Sequence, residues 1–482
     1  MAEKTEDDHP TLDPADWPAF RAEAHALLDA ALDRMQSAGE GPVWQPPSEA
    51  LKSAFDQPVP MAGQGAAAVA GKIAGLFPYG VGNTHPRFFG WVHGAGTPTS
   101  LLAEIGAAAM NANLGGRDHG AIHVERQVVA WCRALMGFPA EASGLIVSGT
   151  SLATVIALKA ARDRALGAID ARKGGVGAAR LVGYTSERTH ACVARAFDIL
   201  GLGTDALRRL PVDADYRLDV AALEAAIAQD RAAGLTPFAL IGTAGSVDLG
   251  AIDPLDALAD VAAREGLWYH VDGAFGALGM LSDHLRPRLR GLERADSLAF
   301  DFHKWLHVNY DAGLVLIRSE TDHRAAFADR PDYLKGAERG LAAGNPWPVD
   351  YGPELSRGFR ALKVWAQFAD HGVDRLAAMI ERNVAQAEWL AAAVEAEEAL
   401  ELLAPAALNI CCFRYAAAPS GTLDALNAEI VVQLQEQGIA APSTTRVGGA
   451  LAIRVNLTNH RTRQSDLALL LREVCRIGKL IG

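Results

Sequence analysis

Through the middle of the chain, short runs in which nearly every position is apolar alternate with longer stretches in which apolar residues recur every three or four positions. The runs lie within Ser143–Asp163, whose apolar start precedes Gly149, and at 181–186, 237–247, 267–279 and 297–302. Continuous apolar runs of this length suit strands buried on both faces, and the intervening stretches suit helices of roughly 10 to 15 residues. The alternation predicts an α/β region with a mostly parallel sheet covered on both faces. Ligands of such sheets bind at the carboxyl ends of the strands. Polar residues gather there: Thr150 and Ser151, His190, Ser246, Asp272, His303 and Lys304.

The flanks read differently. Asp13 before Pro14, followed by Phe20, Ala24, Leu27, Leu28, Ala31 and Met35, predicts an amphipathic helix over 13–38 that ends near Gly39. The Pro-rich segment after it, through Pro60, reads as a strap over another surface such as a partner subunit. The stretch HPRFFGWVHGAGTP, 85–98, mixes aromatics with glycines and suits either a pocket-lining loop or core packing. Helical spacing returns at 99–113 and 121–136. From about 379, a helix at 380–397, apolar strands at 408–415 and 450–458, and a closing helix from Ser465 predict a smaller α+β domain. Three regions result: an arm at 1–84, a large domain at 85–378 and a small domain at 379–482. Arg454, on a predicted strand, either reaches a carboxylate or the mobile loop, or forms a structural ion pair, and 333–350, with Gly340, Gly344, Pro346 and Pro348, reads as a flexible lid.

Composition narrows the class. The 482 residues suffice for two or three domains. Acidic side chains outnumber basic ones, 57 to 45, for a formal charge of −12, and no Lys/Arg run interrupts this, which argues against nucleic acid. The N-terminus is polar and acidic and no apolar run of about 18 residues occurs, so the expectation is a cytoplasmic protein without a membrane span. Five cysteines, odd in number and set in apolar sequence, read as reduced core residues. His119 and His123 have four-residue spacing but no third ligand in view, so no metal site is expected.

The candidate chemistry centres on Lys304, in the apolar run SLAFDFHKWLHV. A lysine there either snorkels, with its stem buried and its head in water, or is desolvated into a free amine able to form a Schiff base with a carbonyl. The turn Gly149–Ser151 is either an ordinary helix cap or a phosphate cradle made of free amides, the helix dipole and two hydroxyls. Asp272 ends a buried strand, where an ionised carboxylate needs a cationic partner; a protonated pyridine nitrogen is one. Pyridoxal phosphate supplies the carbonyl, the phosphate and the pyridine together. His190 is placed to stack on its ring, and the small Ala274 leaves room beneath.

The chain resembles the group II pyridoxal-phosphate-dependent amino acid decarboxylases, the family of aromatic-L-amino-acid, histidine and glutamate decarboxylases. The resemblance rests on HPRFF (85–89), SGTSLAT (148–154), YTSERTHACVARA (184–196), HVDGAFG (270–276), FHKW (302–305), PDYLK (331–335) and LSRGFRALKVW (355–365), in order over roughly 10–475. It implies the fold type I architecture: a mostly parallel seven-stranded central sheet, an N-terminal helical arm and a small C-terminal α+β domain. It also implies a homodimer with its active site at the subunit interface. Lys304 would carry the cofactor, Asp272 pair with the pyridine nitrogen, His190 stack on the ring and Ala274 pack beneath it. Thr150, Ser151 and His303 would hold the phosphate, with Ser246 near the ring. Tyr333, on a mobile loop from the neighbouring subunit, would return a proton after carbon dioxide leaves. The implied reaction is decarboxylation of an L-amino acid to its amine.

The sequence departs from the family at Asp301 and Phe302, where asparagine and proline are usual, which puts the phosphate contacts on that side in question. The substrate loop, Gly90–His93, matches no one branch. Phe88, Phe89, Trp91, His93 and Ser356 are the candidate substrate contacts; the aromatics favour an aromatic guest, whereas Arg87 and Arg117 favour an acidic one. An aromatic L-amino acid is the expected substrate, with acidic and other polar amino acids (glutamate, aspartate, diaminobutyrate, histidine) as alternatives, or another lyase or aminotransferase reaction of the same fold.

Overall fold

The computed structural model describes residues 11–329 and 336–482. Twelve strands fall in chain order: β1 (Phe88–Phe89), β2 (Ser143–Val147), β3 (Leu181–Ser186), β4 (Leu207–Leu210), β5 (Thr236–Thr243), β6 (Trp268–Asp272), β7 (Ser297–Asp301), β8 (Gly313–Ile317), β9 (Leu400–Ala407), β10 (Ile410–Tyr415), β11 (Ala441–Val447) and β12 (Ala450–Asn456). Seven of them form one sheet in the order β2-β8-β7-β6-β5-β3-β4. Only β8 runs against its neighbours, β2 and β7; every other pair is parallel.

The apolar runs work as the pattern predicts, since the side-chain period of two sends neighbours to opposite faces. Leu145 and Val147 enter one buried cluster, while Ile146 enters the other. On β8, Leu314 and Leu316 likewise part from Val315 and Ile317. Helices cover both faces, among them Thr150–Leu166 on one and Leu255–Glu265 on the other. Buried inside this layer, Arg357 donates to Glu125 and to the Leu114 carbonyl (2.8 Å), stitching the helix Gly120–Leu135 to the sheet.

The other five strands form a second sheet, β1-β11-β12-β10-β9. β1 joins it by parallel pairing with β11, so Phe89 packs into the core of the C-terminal region. A long helix, Arg360–Glu395, links the two sheets and breaks at Gly372, whose φ of 68° is open to glycine. It absorbs the helix expected at 380–397.

At the N-terminus the first helix is Trp17–Gln36, not 13–38. Its cap is Asp16, which accepts from the Ala19 amide at 2.9 Å ahead of Pro18. The Asp13-Pro14 pair carries the same signal three residues early, and only the later one leads into the apolar spacing. This helix and the two after it, Glu49–Ala54 and Ala66–Leu76, contain no buried residue, and Trp17, Phe20, Val69 and Ile73 stand exposed. No helix among the described residues is long and apolar enough to cross a membrane.

Candidate active site

The ends of β2, β3, β6 and β7 converge on a cavity of about 360 Å³. Its wall includes Thr150, Ser151, His190, Ala274, His303 and Lys304, six of the residues singled out from the sequence. Lys304 comes from the tight return between β7 and β8. That return is closed by the Phe302 amide donating to the Ala312 carbonyl at 3.0 Å, a bond that proline could not make. Across the cavity floor, Gly94 lies so close that a β-carbon on it would sit 2.4 Å from the carbonyls of His303 and Lys304; its own amide donates to His303 O at 3.1 Å.

The Lys304 side chain is partly exposed, and its Nζ lies 3.0 Å from Asp301 Oδ2. The other oxygen of Asp301 accepts from the Thr150 amide at 2.7 Å, the first amide of the helix Thr150–Leu166. Asp301 therefore lies at the positive end of a helix beside an ammonium group, which answers how a buried carboxylate is tolerated there. His303 Nε2 is 3.6 Å from the same Oδ2, and its Nδ1 lies 2.9 Å from the Ala312 carbonyl. Burial lowers the pKa of His303, with the Asp301 charge opposing. The Thr150 hydroxyl is buried and finds no hydrogen-bond partner among the described residues.

Asp272, at the end of β6, is as buried as Asp301 but differently equipped. The Ala274 amide donates to Oδ1 at 3.1 Å, and the Cys192 thiol lies 3.9 Å from Oδ2. Burial holds its carboxyl above the ordinary value, and Lys304, the Ala274 amide and His190 pull the other way. A cation placed beside Oδ2 would favour its charged form. His190 caps the helix Ala191–Ile199, its Nδ1 accepting from the Cys192 amide at 3.2 Å, which leaves Nε2 to carry the proton of the neutral ring. Burial lowers its pKa against the pull of Asp272, so the imidazole faces the cavity uncharged.

Other residues fall elsewhere. Ser246 is tied into the turn after β5, its hydroxyl accepting from the Ala251 amide at 3.2 Å, and does not line the cavity. Phe89 lies in the C-terminal core and Ser356 on the surface beside buried Arg357. Phe88, Trp91 and His93 form a ring row, with centroids 5.6 Å (Phe88–His93) and 6.1 Å (Trp91–His93) apart. Tyr310, which the sequence reading passed over, continues it: its ring is 5.8 Å from His93 and 4.4 Å from His303. The short spacing between Lys304 and the next strand is the one sequence signal that Tyr310 returns to the cavity beside His303. Arg117 stacks over Trp347 and Arg87 donates to the Gly41 carbonyl, so neither lines the cavity. Arg454 binds the carbonyls of Asp248 (3.0 Å) and Trp91 (2.9 Å) instead of a carboxylate. Tyr333 lies outside the described residues. Leu341 accepts from the Asp118 amide at 2.8 Å and Trp347 is buried, so this part of the expected lid is anchored.

An amine beside a helix N-terminus, a buried carboxylate awaiting a cation and an uncharged imidazole between them define an enzyme built around an aldehyde-bearing, phosphorylated pyridine. Comparison with known proteins agrees: residues 47–416 match the pyridoxal-dependent decarboxylase conserved domain. The chain belongs to this family, whose members are pyridoxal-phosphate-dependent amino acid carboxy-lyases. It is 33% identical over 408 residues to the aromatic-L-amino-acid decarboxylase of Bacillus atrophaeus, covering 83% of this chain and 82% of that one. It is 34% identical over 450 residues to the L-2,4-diaminobutyrate decarboxylase of Rhizobium meliloti, covering 92% and 88%. Among solved structures, Oryza sativa TDC with PLP and tryptamine superposes with a TM-score of 0.89 at 25% identity, covering 98% of this chain and 100% of that one. The cavity fits the cofactor at the lysine and at the Thr150 hydroxyl, with Asp272 just behind its lining residues Cys192 and Ala274. At the phosphate end one cradle amide is already held by Asp301.

Proposed function

We propose that this enzyme decarboxylates an aromatic L-amino acid to its amine. The observation that carries this is the row of rings Phe88, Trp91, His93 and Tyr310, whose last member lines the cavity with Lys304. A cationic side chain would instead look for a free carboxylate. The cavity has Asp301 and Asp311, but Asp301 is engaged by Thr150 and Lys304, and Asp311 accepts from Arg360 at 2.9 Å. The two arginines that favoured an acidic substrate are engaged elsewhere, as described. The similarity to a diaminobutyrate decarboxylase keeps diamino acids as the second reading.

In this reading the cofactor supplies the electron sink for the pair left when the carboxylate departs. Lys304 attaches it and Asp272 keeps its ring nitrogen protonated. His190 would stack on the ring and Ala274 would pack beneath it. Thr150, Ser151 and His303 hold the phosphate, and Tyr333 delivers the proton that completes the amine. The bare helices of the arm support a homodimer in which a second copy covers them and Tyr333 is supplied across the interface. Five free thiols suit the reducing cytoplasm.

Carbon dioxide release from a panel of L-amino acids tests the substrate. Aromatic substrates should exceed 2,4-diaminobutyrate and glutamate in kcat/KM; the reverse order would reject the proposal. Product analysis of Tyr333→Phe should show amine falling and aldehyde with ammonia rising, and unchanged amine output would remove Tyr333 from its role.

A further inference from the structure

We propose that Asp301 makes cofactor binding proton-linked: the carboxyl takes up one proton from solvent as the phosphate binds, and that proton sits between Oδ2 and a phosphate oxygen. The inference rests on the cofactor class and is independent of the aromatic substrate.

The geometry leads there in three steps. Oδ1 is committed to the Thr150 amide at 2.7 Å, which fixes the carboxyl at the mouth of the helix where a phosphate would bind. Oδ2 points to the lysine side, with Lys304 Nζ at 3.0 Å as its counter-ion. Once Lys304 is committed to the cofactor, that ion pair is given up. A phosphate dianion then arrives beside a carboxylate that is 3% exposed. Two like charges in a dry site raise one another's proton affinity until they share a proton. An asparagine at this position donates an amide N–H without any proton uptake, so the effect belongs to the aspartate of this chain.

The other charged and titratable groups around Asp301 do not remove the need. From its own turn, His303 is held by burial toward its neutral form and already has Nδ1 on the Ala312 carbonyl. From the return to β8, Tyr310 has its phenol pushed up by burial and by Asp301, and Asp311 adds negative charge. From the helix after β3, His190 is lowered by burial and the Cys192 thiol is raised by it. From β6, Asp272 carries its own carboxyl. None of these places a new cation at Oδ2.

The test uses pyridoxal 5′-phosphate, which engages Lys304 as in the holoenzyme; the proton that Lys304 gives up on attachment is common to the proteins compared. Its affinity is measured from pH 7 to 9 for the cofactor-free wild type and for Asp301→Asn. The phosphate's own second ionisation, near pH 6, and the ring titrations are common to both proteins, so the ratio of affinities isolates Asp301. The wild type should lose affinity relative to Asp301→Asn by about tenfold per pH unit. His303→Gln should keep the wild-type slope. Parallel curves for wild type and Asp301→Asn, or a slope abolished by His303→Gln alone, would overturn the proposal. Calorimetry at pH 8 in buffers of different ionisation heat counts the protons directly: one more taken up by the wild type than by Asp301→Asn supports the proposal, and equal counts refute it.

Discussion

Asp272 and Asp301 end neighbouring parallel strands, β6 and β7, and are equally buried, yet their surroundings assign them opposite tasks. Asp272 has one amide and a distant thiol, so it is a charge held in reserve for a cation that must come from outside. Asp301 has a helix-end amide and the lysine ammonium, so it is satisfied from within and must be disturbed when a ligand arrives. A strand end fixes where a carboxylate stands. What it can do depends on which donors reach it first.

This contrast can be broken at three points. Lys304→Ala removes the lysine charge that acts on both carboxylates. It should abolish the visible absorbance of the lysine-bound cofactor and bring carbon dioxide release to the assay floor; residual covalent cofactor would place the attachment elsewhere. Asp272→Asn keeps the shape but removes the reserve charge. We expect kcat to fall on the order of 10²–10³-fold with the cofactor still bound, by analogy with deletion of one preorganised charge-stabilising group. A loss below tenfold would mean the ring nitrogen does not depend on it. Thr150→Val probes the smallest piece, a buried hydroxyl without a protein partner. Cofactor affinity should drop by about tenfold, the value of one hydrogen bond to a charged group, while the urea midpoint of the cofactor-free protein stays level or rises. An unchanged affinity would leave the hydroxyl outside the phosphate cradle.

Much of this could be read in advance because the large sheet is local in its grammar. The apolar runs coincide with β2, β3, β5, β6 and β7, whereas β4 and β8 lie outside them; Asp272 ends β6 and Lys304 follows β7. The failures share a cause. Phe88 and Phe89 form a two-residue strand paired with Ala441 and Pro442, partners that no neighbouring residue announces. The family resemblance implies Ser246 near the ring, whereas its hydroxyl accepts from the Ala251 amide inside its own turn. Asp301 was recognised as unusual from the sequence, whereas its reconciliation with the fold needed the Thr150 amide from a helix 151 positions away.

The loop that carries the aromatic row is pinned almost entirely by the far end of the chain. Arg454 holds the Trp91 carbonyl and Thr458 that of His93 (2.9 Å), while Asn459 takes His85 O (2.9 Å) and Thr462 takes Pro86 O (2.6 Å). On the ribosome, then, the lysine and its two carboxylates emerge long before the residues that shape the entrance. The lysine and the two strand-end carboxylates are thus made first, and the residues that fix the aromatic loop in place are made last.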